Sequence, residues 1–463
     1  MKNRLAEILQ ITIYIWMGIQ LLLGACWVVC NLGKMPIFHE SWEILAMSET
    51  LCVDEYTGFL YPVMVHIFMI ISQKIKVPAV TILYLLQLIV AYFAYECFLQ
   101  KVVFIRNWKK DALRKRTPIF VLFALSIPPV LQVHMSVLSY SLASSLYIVL
   151  LAKVISACRE ERTVKGKEII SMCLLWILSA QICVDYAWIG GISVVAGLVM
   201  YMSTHRRFCF KSVLIVIMSV VCISGLNAAS QTPGSMGKIQ KSTESILLSR
   251  VVWPKFAQLC NFWDGEVTGR WTNAELMNIS TYPEKVIYEF GPQMDKQLGY
   301  EGANQVYRDM IQKTLTIDTK YVATAILKDG GAYICPPLTM HLQLHGVGSS
   351  YTGWNYGRMK DYSPLLTEIY VEISLTGWMY LMVVSVVLYI LSAFPKEWKA
   401  KEVREAVRKS MVICLIAGLT TNVYYVITNG HMQDYKKMLV ISVLWAFAMI
   451  AVLNQTEERY HLR

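Results

Sequence analysis

Two short acidic stretches follow the first apolar run of this chain, Phe38-His39-Glu40-Ser41-Trp42-Glu43 and Val53-Asp54-Glu55-Tyr56. Carboxylates beside a membrane cost desolvation energy unless they face water, a metal or a charged ligand. Glu40 and Glu43 are three apart, a spacing that puts both on one helical face. Two carboxylates that close repel, which raises one pKa or recruits Mg²⁺ or Mn²⁺ through oxygen ligands. Glu40 is the first candidate for a general base, with Asp54 and Glu55 next. The plainer reading is that these acids simply face water on an interfacial helix. Asp54 and Glu55 alternatively cap a helix that begins at Thr57 or Phe59.

Cations that could hold an anionic group lie far along the chain. Lys238 and Lys241 are three apart on one expected helix, and Arg250 closes it. Arg358 ends Trp354-Asn355-Tyr356-Gly357-Arg358, with Lys360 two residues on; the aromatics there suit a sugar or lipid face. Each cation could equally meet an anionic lipid headgroup or a carboxylate such as Asp361. His134, after Pro128-Pro129, lines a cavity or sits at the interface. Asp185, beside Tyr186 and Trp188, needs no more than an interface to explain it. His341 and His345 have metal-pair spacing, but no Glu stands between them, and the stretch alternates like a strand. No Gly-rich phosphate loop of the GxxxxGK kind is present, so nothing suggests an ATP-driven role.

The elements that must carry these residues are apolar helices. Of the 463 residues, 56% are hydrophobic and 16% charged, well below the roughly 25% charged of soluble domains. Runs close to the roughly 20 residues needed to span a bilayer start near Ile8, Ala79, Ile119, Leu138, Ile169, Trp188, Val213, Ile369, Met411 and Lys437. The net charge of +11 gathers in short loops, as the positive-inside rule requires, so nucleic acid is not an expected partner. Most of the twelve cysteines, Cys26, Cys97, Cys173, Cys183, Cys222 and Cys414 among them, fall in apolar runs and read as small apolar residues. Cys260 and Cys335 share one large loop and are either a disulfide or two thiols. Leu23-Gly24-Ala25-Cys26 is like a lipoprotein cleavage box, but the apolar run continues past it and reads as a retained span.

Charge sets the expected orientation. Lys2 to Arg4, Lys101 to Arg116, Arg159 to Lys167, Arg206 to Lys211 and Lys396 to Lys409 are expected in the cytoplasm, and Glu40 to Glu55 outside. Phe59 to Ser72 is apolar, but at about 14 residues it is short for a span. Counting it as one would also put Lys101 to Arg116 outside. It reads as an interfacial or half-inserted helix lying on the outer surface. A second such helix, Ser41 to Leu51, is expected to set Trp42, Leu45 and Ala46 on one side and Glu43, Ser48 and Glu49 towards the other. The outcome is an N-terminal module of seven spans (1–226) whose first outer loop is 31–78. An outer domain (227–368) and a three-span module (369–463) follow. In the outer domain, helices are expected over Ser235 to Val252 and Ala303 to Lys328, the latter ended by Asp329-Gly330-Gly331.

Three features together carry a resemblance: the acidic first loop, the Leu60-Tyr61-Pro62 stretch after it, and a soluble segment after the seventh span. In these the chain resembles the GT-C glycosyltransferases, which include protein O-mannosyltransferases and aminoarabinose transferases. The family's Asp-Glu at the start of the first juxtamembrane helix stands here as His39-Glu40, and the next outer loop, Gln132 to Ser136, has no acid. The resemblance implies an all-α polytopic membrane protein. Its fold would be a GT-C-like bundle of about ten transmembrane helices with juxtamembrane helices and a mainly helical extracytoplasmic domain. It further implies a bacterial plasma membrane and transfer, on the outer side, of a sugar from a polyprenyl-phosphate donor to a glycan, lipid or protein acceptor. Glu40, Asp54 and Glu55 would be catalytic. Glu43, Tyr61 and His134 would bind substrate, as would the cations at 238, 241, 250, 358 and 360. The lipid phosphate leaves as an anion, which Arg, Lys or a divalent metal must stabilise. Rival readings are an envelope glycan polymerase or ligase working through Arg250 and Arg358, a transporter or flippase, and a non-catalytic relative. Orientation is testable first. An epitope inserted beside Arg114 is expected to stay inaccessible to antibody in intact cells and to become accessible on permeabilisation; staining of intact cells would invert the topology.

Overall fold

The computed structural model describes residues 2–32, 34, 39–51, 58–103, 110–159, 166–205, 210–230, 291–321, 323–324, 364–393 and 435–461. Among them the chain is helical, without a strand. In order the helices are α1 (Lys2–Asn31), α2 (His39–Thr50), α3 (Leu60–Ile75), α4 (Ala79–Phe98, continued by a π turn, Leu99–Val103), α5 (Lys110–Leu125), α6 (Pro128–His134) and α7 (Ser139–Arg159). They continue as α8 (Gly166–Ile182), α9 (Asp185–His205), α10 (Phe210–Ser230), α11 (Gly291–Ile317), α12 (Pro364–Ala393) and α13 (Tyr435–His461). The chain divides into two compact units, 1–233 with 336–418 and 435–463, and 234–335 with 419–434.

Four described helical stretches are long and apolar enough to cross a membrane: Glu7–Asn31, Ala79–Val103, Ser139–Cys158 and Asp185–Met202. A fifth is counted if Arg116–Leu125 and Pro128–His134, bent by 83° against each other, form one span. Helices also begin near the expected starts at Ile169, Val213, Ile369 and Lys437; Met411 lies outside the described residues. Ser139–Cys158 is the hub. It is 72% buried, against 28–44% for the other three, and α7 packs on α4, α8 and α9. Its small residues Ser141, Ser144 and Ser145 allow that close approach. All three are fully buried, and the last two return their hydroxyls to the Ser141 carbonyl.

The sharp bend follows from sequence. Pro128 and Pro129 have no N–H to donate to the preceding turn, and a residue before proline is pushed to extended backbone. Ile127 is extended, with ψ 128°. The bend leaves the Ser126 carbonyl without a helical partner. Gln20 Nε2 on α1 donates to it at 2.6 Å, and Tyr370 Oη on α12 also donates. Gly24 on α1 makes this approach possible, since a Cβ there would stand 2.8 Å from Ser126 Cβ. The same helices are zipped further along by Trp27 stacked on Tyr370 at 5.7 Å, Trp27 Nε1 donating to Thr367 Oγ1, and Tyr380 Oη donating to Thr12 Oγ1.

One expectation needs correction, and another gains detail. The apolar helix after the acidic loop, expected to be interfacial or half-inserted, is α3. Lys76, in the left-handed region at φ 56°, turns the chain within three residues, and α3 returns antiparallel along the first half of α4. Tyr61 meets Gln87, while Val65 and Met69 share a small apolar pocket with Ala79, Val80 and Leu83. Its free face, Ile67, Ile70 and Ile71, is exposed and apolar. On α2 the buried stripe is Ser41, Ile44, Leu45 and Ser48, and Ala46 is exposed. Ser48 joins the packed face because its hydroxyl returns to the Ile44 carbonyl at 2.6 Å, which leaves no polar group to solvate.

The second unit is described only over α11 and the residues just after it. The long helix expected from Ala303 to Lys328 starts earlier and is interrupted twice. Gly299 leaves helical geometry at φ 72°, and Asp318 breaks the chain after Ile317. Asp318 Oδ1 accepts from the Tyr321 N–H at 2.9 Å, the capping bond by which Asp starts a new helical segment. The other expected outer-domain helix, Ser235 to Val252, lies outside the described residues.

The two donors to Ser126 generate a prediction. Tyr370→Phe and Gln20→Leu should each cost about 0.5–1 kcal/mol, because one donor remains. The double variant should cost more than the sum, because the carbonyl is then orphaned in hydrocarbon. Equilibrium unfolding in mixed micelles reads this directly, and strict additivity would show that the bonds act independently.

Candidate functional site

Helix α2 and the start of α3 are anchored at one end of the bundle. Ser41 Oγ on α2 donates to the Val137 carbonyl, in the turn between α6 and α7, at 2.9 Å. His66 Nδ1 on α3 lies 2.7 Å from the Ser48 carbonyl on α2. Residue 58 is pressed so closely on the backbone of Gln181 and Ile182, at the end of α8, that only glycine fits. Glu40 and Glu43 are carried by α2, and their side chains lie outside the described residues. Asp54 and Glu55 lie between the two anchors in sequence, also outside the described residues, as do Lys238, Lys241, Arg250, Arg358, Lys360, Cys260, Cys335, His341 and His345.

Tyr61 and His134 are described, and the structure brings them into one network, in the protein interior. Both are fully buried. Tyr61 Oη donates to Gln87 Oε1 at 2.8 Å. Gln87 Nε2 donates to the carbonyls of His134 at 2.8 Å and Ser136 at 3.0 Å. His134 Nε2 pairs with Tyr95 Oη at 3.0 Å, and its Nδ1 with Ser141 Oγ at 2.8 Å. Both ring nitrogens are therefore occupied by protein. In this conformation both side chains are buried and hydrogen-bonded within the protein, and neither presents surface. Desolvation pushes the Tyr61 hydroxyl pKa well up, with Tyr84 adding to the shift, so the group stays a protonated donor.

A carboxylate does stand at this end. Asp185 opens α9, is half-buried, and accepts from Tyr140 Oη at 2.6 Å through Oδ2. Charge-assisted bonds of this kind are short and orienting. Asp185, the α2 anchor at Val137 and the close packing of Gly58 on α8 thus share the end formed by the α6–α7 and α8–α9 turns. Among the described residues no group of three or more His, Cys, Asp or Glu side chains is placed to hold a metal. The described cysteines, including Cys26, Cys97, Cys173, Cys183 and Cys222, are not in disulfides.

No protein-family model matches the chain, and no curated protein or solved structure is significantly similar to it.

Sequence reasoning passed over Gln87, Tyr95 and Ser141. Gln87 left a signal: it is the one side-chain amide in Ala79–Phe98, and a polar group inside an apolar span must find partners. It also supports the prediction here. Gln87→Leu removes two donors and one acceptor, leaving a phenol and two carbonyls unpaired, and should destabilise by roughly 2–4 kcal/mol. Tyr95→Phe removes one bond and should cost about 1 kcal/mol. Equal losses in unfolding experiments would mean the amide is not the centre of the network.

Proposed function

We propose that the chain is a membrane glycosyltransferase of the GT-C kind, acting in a bacterial plasma membrane on the extracytoplasmic side. It would move a sugar from a polyprenyl-phosphate donor to an envelope glycan, lipid or protein. The observation that supports this best is the fixing of α2, which carries Glu40, against the α6–α7 turn through Ser41. A base is useful only on an element that does not drift. In the proposed step an acceptor hydroxyl attacks the anomeric carbon and Glu40 takes its proton. The bond from that carbon to the lipid-phosphate oxygen breaks, and the phosphate leaves as an anion. Lys238, Lys241, Arg250, Arg358 and Lys360 are the candidates for receiving that charge, with Mg²⁺ or Mn²⁺ the alternative. The ten-span bundle and the assignment of residues 227–368 to the outer side belong to this reading.

One observation favours a different class. Discontinuous helices are the mark of transporters and flippases, and α5–α6 is a sharply bent pair. Against that reading, the freed Ser126 carbonyl is bonded within packed protein, whereas transporters use such groups to line a path.

Glu40→Gln in membranes supplied with a panel of labelled polyprenyl-phosphate sugars should lower incorporation by about 10²- to 10⁴-fold, the usual share of a general base, with unfolding unchanged. Full transfer by this variant removes Glu40 from the mechanism. Movement of labelled lipid across proteoliposomes without any transfer would favour the flippase reading.

A further inference from the structure

A cavity of about 60 Å³ opens between α7, α8, α9 and α10, walled by Val154, Cys158, Met172, Leu198 and Val216 among others. Every wall is apolar, apart from thiols and the Tyr201 ring. It sits where α7 and α9 end and α8 and α10 begin, the end away from α2. By the measure in which one water needs about 10–15 Å³, it has room for roughly four to six water-sized groups. Apolar walls do not draw water in, and an empty space forfeits dispersion contacts along its lining. In a bilayer the neighbouring solvent is hydrocarbon, so a run of methylenes is the natural filling.

A charge stands beside it. Lys153 lies within the candidate span Ser139–Cys158, half-buried, and has neither a hydrogen bond nor an ion pair among the described residues. Ammonium groups inside spans are rare and take partners. Lys153 immediately precedes Val154 and is one helical turn before Ala157, both cavity walls, so it shares that side of α7.

We infer that this is a binding site for an anionic bilayer phospholipid, with an acyl chain in the cavity and the headgroup phosphate on Lys153. The site is at the opposite end of the bundle from α2 and does not depend on sugar transfer.

The full chain in neutral detergent, titrated with dioleoylphosphatidylglycerol or dioleoylphosphatidylcholine, tests it by thermal unfolding. The wild type should show a saturable rise in Tm with the glycerol lipid at concentrations about five-fold lower than with the choline lipid, the factor expected for one lysine at a membrane surface. Lys153→Gln should erase that five-fold preference, and Ala157→Phe, which fills the cavity, should abolish the saturable rise with either lipid. Equal responses of the wild type to both lipids, or a preference that survives Lys153→Gln, overturns the inference. Should Ala157→Phe fail to fold, the Lys153→Gln comparison decides alone.

Discussion

Hydrocarbon offers a peptide group no hydrogen bond, so each backbone break inside the bundle must be repaired by a side chain. Two such repairs organise this molecule. At the first, the carbonyl freed by the Ser126 bend accepts from Gln20 and Tyr370, side chains 106 and 244 residues away in sequence. At the second, the turn between α6 and α7 gives its carbonyls at His134 and Ser136 to Gln87, and the one at Val137 to Ser41. Water would do this work in a soluble protein, and would do it loosely. Amides and hydroxyls do it here with fixed geometry, tying α1, α2, α4 and α12 to one irregular segment, residues 126–138.

This gives the two ends of the bundle different characters. The end that holds α2 is filled: His134 is bonded at both nitrogens, Tyr61 and Tyr95 close over the amide, and Ser141 completes the set. Aromatic contacts extend the packing, with Tyr95 and Phe98 both against Phe447 of α13. The opposite end keeps a void among four helices and, beside it, a lysine without a partner among the described residues. The side-chain hydrogen-bond network is therefore concentrated beneath α2. Packing is looser at the far end, where lipid can complete it.

Helix positions were legible because the signal is hydropathy itself. The runs beginning near Ile8, Ala79, Leu138 and Trp188 become the four clear candidate spans. What was not legible was direction and depth. The sequence of α3 is apolar on both sides, and only the reversal at Lys76 sets it along α4. Ser48 read as polar because its type is polar, and burial became possible only through its bond to its own helix. His134 was noticed for its chemistry and Tyr61 for the motif around it. Chemical capability and structural satisfaction draw on the same side chains, so residue type alone could not tell a ligand contact from a core bond. Gln87 carries the core network, and nothing but its isolation in an apolar helix marked it.

The packing of α2 also limits how any substrate could meet it. Ser41, Ile44, Leu45 and Ser48 are buried, one continuous stripe at helical spacing, so the helix cannot turn about its axis without exposing that stripe and breaking the Ser41 bond. Access from the α3 and α4 side is closed by Tyr61 and Gln87, both without exposed surface. Among the described residues, the exposed side of α2 is the one that carries Ala46 and Thr50. Close by, Asp185 is oriented by Tyr140 at the neighbouring turn. The α2 end of the bundle thus rests on the most buried of the candidate spans, Ser139–Cys158.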